Sequence, residues 1–121
     1  MKLTYYGHSC FKVEIKGKHI LFDPFITENE FAKHIDINTI EADYIFLTHG
    51  HFDHILDAEA IALRTNAKIV ANWEVATWFN KRGITEVETN PELIENTSIQ
   101  AFWKNYESEL HKKRSTFTKD I

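Results

Sequence analysis

The chain has 121 residues, 43% hydrophobic and 26% charged, with only 4 Gly and 2 Pro, which is the composition of one globular domain and excludes disordered and fibrous classes. A formal charge of -4 and a pI near 5.9 argue against nucleic-acid and anionic-membrane partners, since both need a basic surface to displace counterions. No apolar run approaches the roughly 18 residues that cross a bilayer, and the single cysteine, Cys10, excludes an internal disulfide.

From Met1 to His8 the chain meets glycine and polar residues before any apolar run develops, so the expected compartment is the cytoplasm. Leu3 to Tyr6 reads as a strand, and Cys10 to Ile15 as a second, with Phe11, Val13 and Ile15 alternating against Lys12 and Glu14. Lys16-Gly17-Lys18 makes a tight turn, and His19 to Phe22 returns as the other arm of a hairpin. Asp23-Pro24 stops it, because proline removes a ladder donor and restricts the residue before it. A loop from Phe25 to about Thr39 comes next, with one helical turn expected near Glu28 to His34. Asp43 to Leu47 is short and apolar enough for a buried strand.

Strand and helix then alternate: a helix over Ile55 to Arg64, a strand over Ala67 to Ala71, a helix over Trp73 to Arg82 closed by Gly83, and a strand over Ile84 to Glu88. Alternation of this kind implies β-α units on a partly parallel sheet, hence an α/β fold. Trp78 and Phe79 are expected to pack on that sheet. Thr97 to Gln100 resembles a capping box, and Ile99, Phe102, Trp103, Tyr106 and Leu110 fall at helical spacing, so an amphipathic helix is expected there. It ends in His111-Lys112-Lys113-Arg114, cations that suit the negative pole of a helix dipole.

Three of the seven histidines lie in Thr48-His49-Gly50-His51-Phe52-Asp53-His54, directly after a buried strand and before a helix. In extended backbone His49 and His51 point the same way, so both imidazoles can reach one metal, while Gly50 sharpens the turn without a side-chain clash. Asp53 and His54 point elsewhere and, at the start of a helix, can ligate a second metal. Paired metals lower the pKa of a bridging water and clamp a leaving oxygen. The bland reading is a polar loop in which Asp53 caps the helix, but a cap needs only Asp53. Cys10 reads as a core thiol, and His19 and His34 as surface or edge residues.

His49-Gly50-His51-Phe52-Asp53-His54 resembles the signature of the metallo-β-lactamase superfamily. Tyr6-Gly7-His8-Ser9-Cys10-Phe11 and Leu21-Phe22-Asp23-Pro24-Phe25 resemble the amino-terminal half of a family of small bacterial metal-dependent hydrolases within it, the similarity covering about residues 1-85. The resemblance implies half of an αββα sandwich, a mixed sheet with helices on one face, with 86-121 a divergent helical segment of the same single domain. It assigns His49 and His51 to one zinc and Asp53 and His54 to a second, with Asp53 also orienting the attacking hydroxide. His8 and Asp23 become candidates for catalytic roles, either facing substrate or supporting the metal ligands.

The expected function is that of a metal-dependent hydrolase, metal-bound hydroxide attacking an ester, amide or phosphoester of a small-molecule substrate. Zinc suits His-rich ligation, and imidazole with carboxylate also accommodates manganese or iron. In the superfamily the second half adds ligands, whereas after Asp57 this sequence has only Asp120 and His111. That shortage raises two further expectations: a truncated chain of reduced or no activity alone, or a non-catalytic metal-binding or oligomerising module derived from such a hydrolase, with the carboxy-terminal helix the expected surface of any homo-oligomer.

Overall fold

A computed structural model describes residues 1-89 of the chain; the amphipathic helix expected around Ile99 to Leu110 lies outside the described residues. Six strands form one sheet in chain order: β1 (Lys2–Gly7), β2 (Cys10–Ile15), β3 (Lys18–Phe22), β4 (Tyr44–Phe46), β5 (Lys68–Val70) and β6 (Val87–Glu88). The β1-β2 and β2-β3 pairs are antiparallel, and β3-β4, β4-β5 and β5-β6 are parallel. The sheet is therefore mixed, as the alternation of strands and helices implies. Lys16 and Gly17 both take positive φ, 49° and 78°, the two-residue turn whose twist matches the flanking strands.

Registry explains the continuous apolar runs of the central strands. Phe11, Phe22, Phe46 and Val70 pair across one face, while Leu21, Ile45 and Ile69 pair across the other. The second set joins Ile61 and Ala62 of α2 (Ala58–Thr65) and Ala76 and Phe79 of α3 (Trp73–Lys81) in one buried core. Helical spacing of three and four residues lets each helix present that stripe to the sheet. On the opposite face Val13, Ile20, Phe22, Phe46 and Val70 are also buried, with Phe11 stacked on Phe22 at 4.5 Å between ring centroids. Strands buried on both faces read as unbroken apolar runs rather than as alternation.

Two local expectations change. The helix expected over Ile55 to Arg64 is two helices, α1 (Phe52–Ile55) and α2, broken at Leu56 and Asp57. At the break the Asp57 amide leaves the helical ladder and donates to the Pro24 carbonyl at 3.0 Å, while its carboxylate accepts from the amides of Ile26 (2.6 Å) and Thr27 (3.0 Å) and from the Thr27 hydroxyl (2.9 Å). The one helical turn expected near Glu28 to His34 is present, closed by the Lys33 amide donating to the Asn29 carbonyl at 2.7 Å. There the buried Asn29 side chain donates to the carbonyls of Tyr6 and Phe25 and accepts from the Phe31 amide, tying the segment to its surroundings. Trp78 lies 47% exposed, its ring covered by the Arg82 guanidinium at 4.7 Å, so only Phe79 of that pair is core.

Among the described residues no helix is long and apolar enough to cross a membrane.

Candidate metal centre

β1, β3 and β4 run in one direction, so Gly7, Phe22 and Phe46 end at the same edge of the sheet. Each of these strands leads into polar residues at that edge: His8 after β1, Asp23 after β3, and Thr48-His49 just beyond β4. This carboxyl edge is where α/β sheets place their sites. His19, at the far end of β3, lies instead between Glu14 (3.6 Å) and Glu41 (3.1 Å).

Asp23 lies at the base of the cluster, 1% exposed and in the left-handed region at φ 44°. Its Oδ1 accepts the Thr48 amide at 2.8 Å; its Oδ2 accepts the Thr48 hydroxyl at 2.7 Å and faces His54 Nδ1 at 2.9 Å. A carboxylate only accepts, so His54 Nδ1 carries the hydrogen and its Nε2 offers the lone pair. The Thr48 hydroxyl, having given its hydrogen to Asp23, accepts from His49 Nδ1 at 2.9 Å. One buried carboxylate thereby sets the tautomer of two histidines, the way metal-ligating imidazoles are commonly held. At 1% exposure Asp23 has no surface to offer a substrate.

Asp53 does not cap a helix. The N-cap of α1 is His51, which makes no side-chain capping bond, and the Asp53 carboxylate instead reaches across 45 positions to His8, with Oδ2 at 2.9 Å from Nε2. Partial desolvation acts to raise its pKa, yet the His8 hydrogen bond and the His54 charge outweigh this and hold the carboxyl below its usual range. His49 lies beside His51 at 4.6 Å and His54 at 4.0 Å between ring centroids, and His8 beside His54 at 5.1 Å. The four residues of the His-rich motif, together with His8 and Asp23, thus meet at one place.

Gly50 does not have a left-handed φ. A Cβ there would stand 3.4 Å from Val75 Cγ2, at the edge of ordinary van der Waals contact, so neither the backbone nor the packing of α3 demands glycine at this position. Cys10 is fully buried, and desolvation pushes its thiol up to about 12, which removes it as a nucleophile. Thr48 and Asp57 carry structural roles that sequence reasoning missed. A hydroxyl directly before the first motif histidine is the available signal for Thr48. Nothing local marks Asp57, whose partners lie 30 and 31 positions away.

Could these residues hold a metal? The donor atoms of His8, Asp53 and His54 all lie within 4.8 Å of one another, and two imidazoles with a carboxylate suit a first-row divalent ion. The donor chemistry therefore fits.

The family model described as "Metallo-beta-lactamase superfamily" matches residues 3-114, running past residue 85. A UPF0173 metal-dependent hydrolase of Flavobacterium johnsoniae is 53% identical over 90 residues, which is 74% of this chain and 40% of that protein. Another, from Methylacidiphilum infernorum, is 48% identical over 87 residues, 72% of this chain and 38% of that protein. The chain spans about 40% of the length of the curated relatives it matches. Among solved structures, a metallo hydrolase from Ignicoccus hospitalis matches with a TM-score of 0.65 at 37% identity, over 73% of this chain and 39% of that one. An isothiocyanate hydrolase from Delia radicum gut bacteria shares the fold, with a TM-score of 0.57 at 21% identity, over 74% of this chain and 41% of that one. On the family match and these relatives, the chain belongs to the metallo-beta-lactamase superfamily.

Proposed function

We propose that this chain carries the metal-binding loop of a hydrolase that cleaves an ester, amide or phosphoester in a small molecule, with zinc the first choice of metal and manganese or iron the alternatives. The observation that carries the reading is Asp23: a buried carboxylate that orients His54 directly and His49 through Thr48 has little reason to do so unless those imidazoles bind something. In this reading His49 and His51 hold one ion, and Asp53 and His54 a second. A divalent ion bound there supplies Lewis acidity, polarising the scissile group and lowering the pKa of water.

The chain's own residues do the rest. Asp23 and Thr48 keep the two histidines in the ligating tautomer, and Asp53, exposed at the mouth of the cluster, is placed to orient an attacking water. In the metal-free chain His8 Nε2 lies 2.9 Å from that carboxylate.

Metal content of the 121-residue protein purified without chelator, measured with its mass in solution, tests the reading. Bound metal and turnover of a generic phosphoester or lactone are the expected result, with turnover lost and the metal content reduced in His51→Ala. A metal-free chain without turnover overturns it. Metal without turnover supports a second reading, a non-catalytic or oligomerising metal-binding module. That reading is favoured by the single three-donor group among the described residues, which does not include His49 or His51.

A further inference from the structure

We propose that His8 is itself a metal ligand, the third protein donor of the ion held by Asp53 and His54; the inference rests on the metal-binding part of the reading above. Two protein donors are too few for a stable divalent site, which ordinarily has three or four. The shortfall is met within the described residues, from the turn between β1 and β2.

Three observations converge. His8 Nε2, an Asp53 oxygen and a His54 ring nitrogen already lie within 4.8 Å, and bonds of about 2.0 to 2.2 Å to one ion require donors about 3.5 Å apart, so closure needs only small side-chain movements. His54 Nδ1 is engaged by Asp23, which leaves Nε2 to face the group. His8 is fixed in place: its backbone takes φ 55°, Tyr5 Oη donates to its carbonyl at 2.7 Å, and its ring meets the edge of Phe25 at 5.5 Å.

The preceding residue adds to this. A Cβ on Gly7, at φ 95°, would stand 2.9 Å from the Phe31 ring, so the turn packs closely against the following loop. An exposed His-Asp pair by itself contributes little to stability. The His8-Asp53 pair is 41% and 45% exposed. Holding a non-glycine residue in left-handed backbone to make so weak a pair is accounted for if the imidazole ligates an ion.

Cobalt(II) titration of the metal-free 121-residue protein, followed by visible absorption and by competition with a chelator, tests this. His8→Asn is the informative variant, since asparagine tolerates left-handed backbone and is too short to ligate. His8→Gln keeps a donor for Asp53, and His51→Ala perturbs the other pair. Both His8 variants are expected to weaken one class of site by about tenfold or more and to shift its absorption band, while His51→Ala weakens the other class.

Unchanged affinity and band in His8→Asn overturn the proposal. So does full recovery in His8→Gln, which would make His8 a residue that positions Asp53 through a hydrogen bond. If the parent chain binds no cobalt, both this proposal and the metal-hydrolase reading fail. Cobalt binding that depends on His8, in a chain without turnover, supports the ligand and overturns only the hydrolytic part.

Discussion

Asp23 and His54, 31 positions apart in sequence, meet through a 2.9 Å contact between Oδ2 and Nδ1, and that contact decides which nitrogen of His54 faces the cluster. Asp23→Asn tests it cleanly, because asparagine is isosteric and tolerates the left-handed backbone that Asp23 occupies. Its amide turns a donor toward groups that are themselves donors. We expect metal affinity to fall about 10- to 100-fold, measured by chelator competition well below the unfolding transition. Thr48→Val, which cuts only the relay to His49, is expected to produce a smaller loss. Equal losses in the two variants would argue against Asp23 as the shared anchor.

Asp53 gives a pH signature in the metal-free protein. Its folded pKa is lowered, so the stability it contributes is fully present above the unfolded carboxylate value, about pH 4, and is lost as pH falls through the lower folded value. A carbon-13 titration of the side-chain carboxyl should show a midpoint below the ordinary aspartate range. In His8→Ala the midpoint should rise. A midpoint that does not respond to His8 would contradict the assigned cause.

Asp57 governs stability rather than chemistry. Its carboxylate is 3% exposed and accepts from three donors on the loop that follows Asp23, so Asp57→Ala strands buried amides as well as removing the bonds. A loss of about 3 kcal/mol is expected, visible as a urea midpoint lower by about 2 M. Asp57→Asn, which keeps one acceptor oxygen, should lose about half as much. A shift within error for both would show that the loop holds without this anchor.

Cys10 should be silent toward alkylation. With its thiol pushed up to about 12, the thiolate fraction at pH 9 is only about one in a thousand, and the sulfur is fully buried. Iodoacetamide at pH 8 is expected to leave the folded protein unmodified and to label it stoichiometrically in denaturant. Rapid labelling of the folded chain would place Cys10 at an accessible surface.

Elements whose cause is local are legible in the sequence. β2 spans Cys10–Ile15 as its alternation indicates, and the turn at Lys16-Gly17 comes from glycine beside a residue willing to take positive φ. α3 starts where Asn72 accepts from the Val75 amide, the usual N-cap device. The features that escape have their cause elsewhere in the chain. Nothing near Asp57 says that its carboxylate will leave the helix for Ile26, and nothing near Asn29 says that it will serve the carbonyls of Tyr6 and Phe25.

The site divides in the same way. The motif His49 to His54 stands out because its donors are neighbours in sequence. The contact between His8 and Asp53 depends on β1 and β4 ending at one edge, which only the assembled sheet decides.

β3 is the seam between the antiparallel and parallel parts of the sheet. Its hairpin with β2 closes over two residues and forms in roughly microseconds, whereas pairing with β4 must first close the loop 23-43, a slower search. His8 belongs to the quick side of that seam, and Asp23's grip on Thr48 and His54 forms only on the slow side. The complete donor set is therefore a late product of folding, and an ion that binds it would arrive as a latch on the finished sheet rather than as a seed for it.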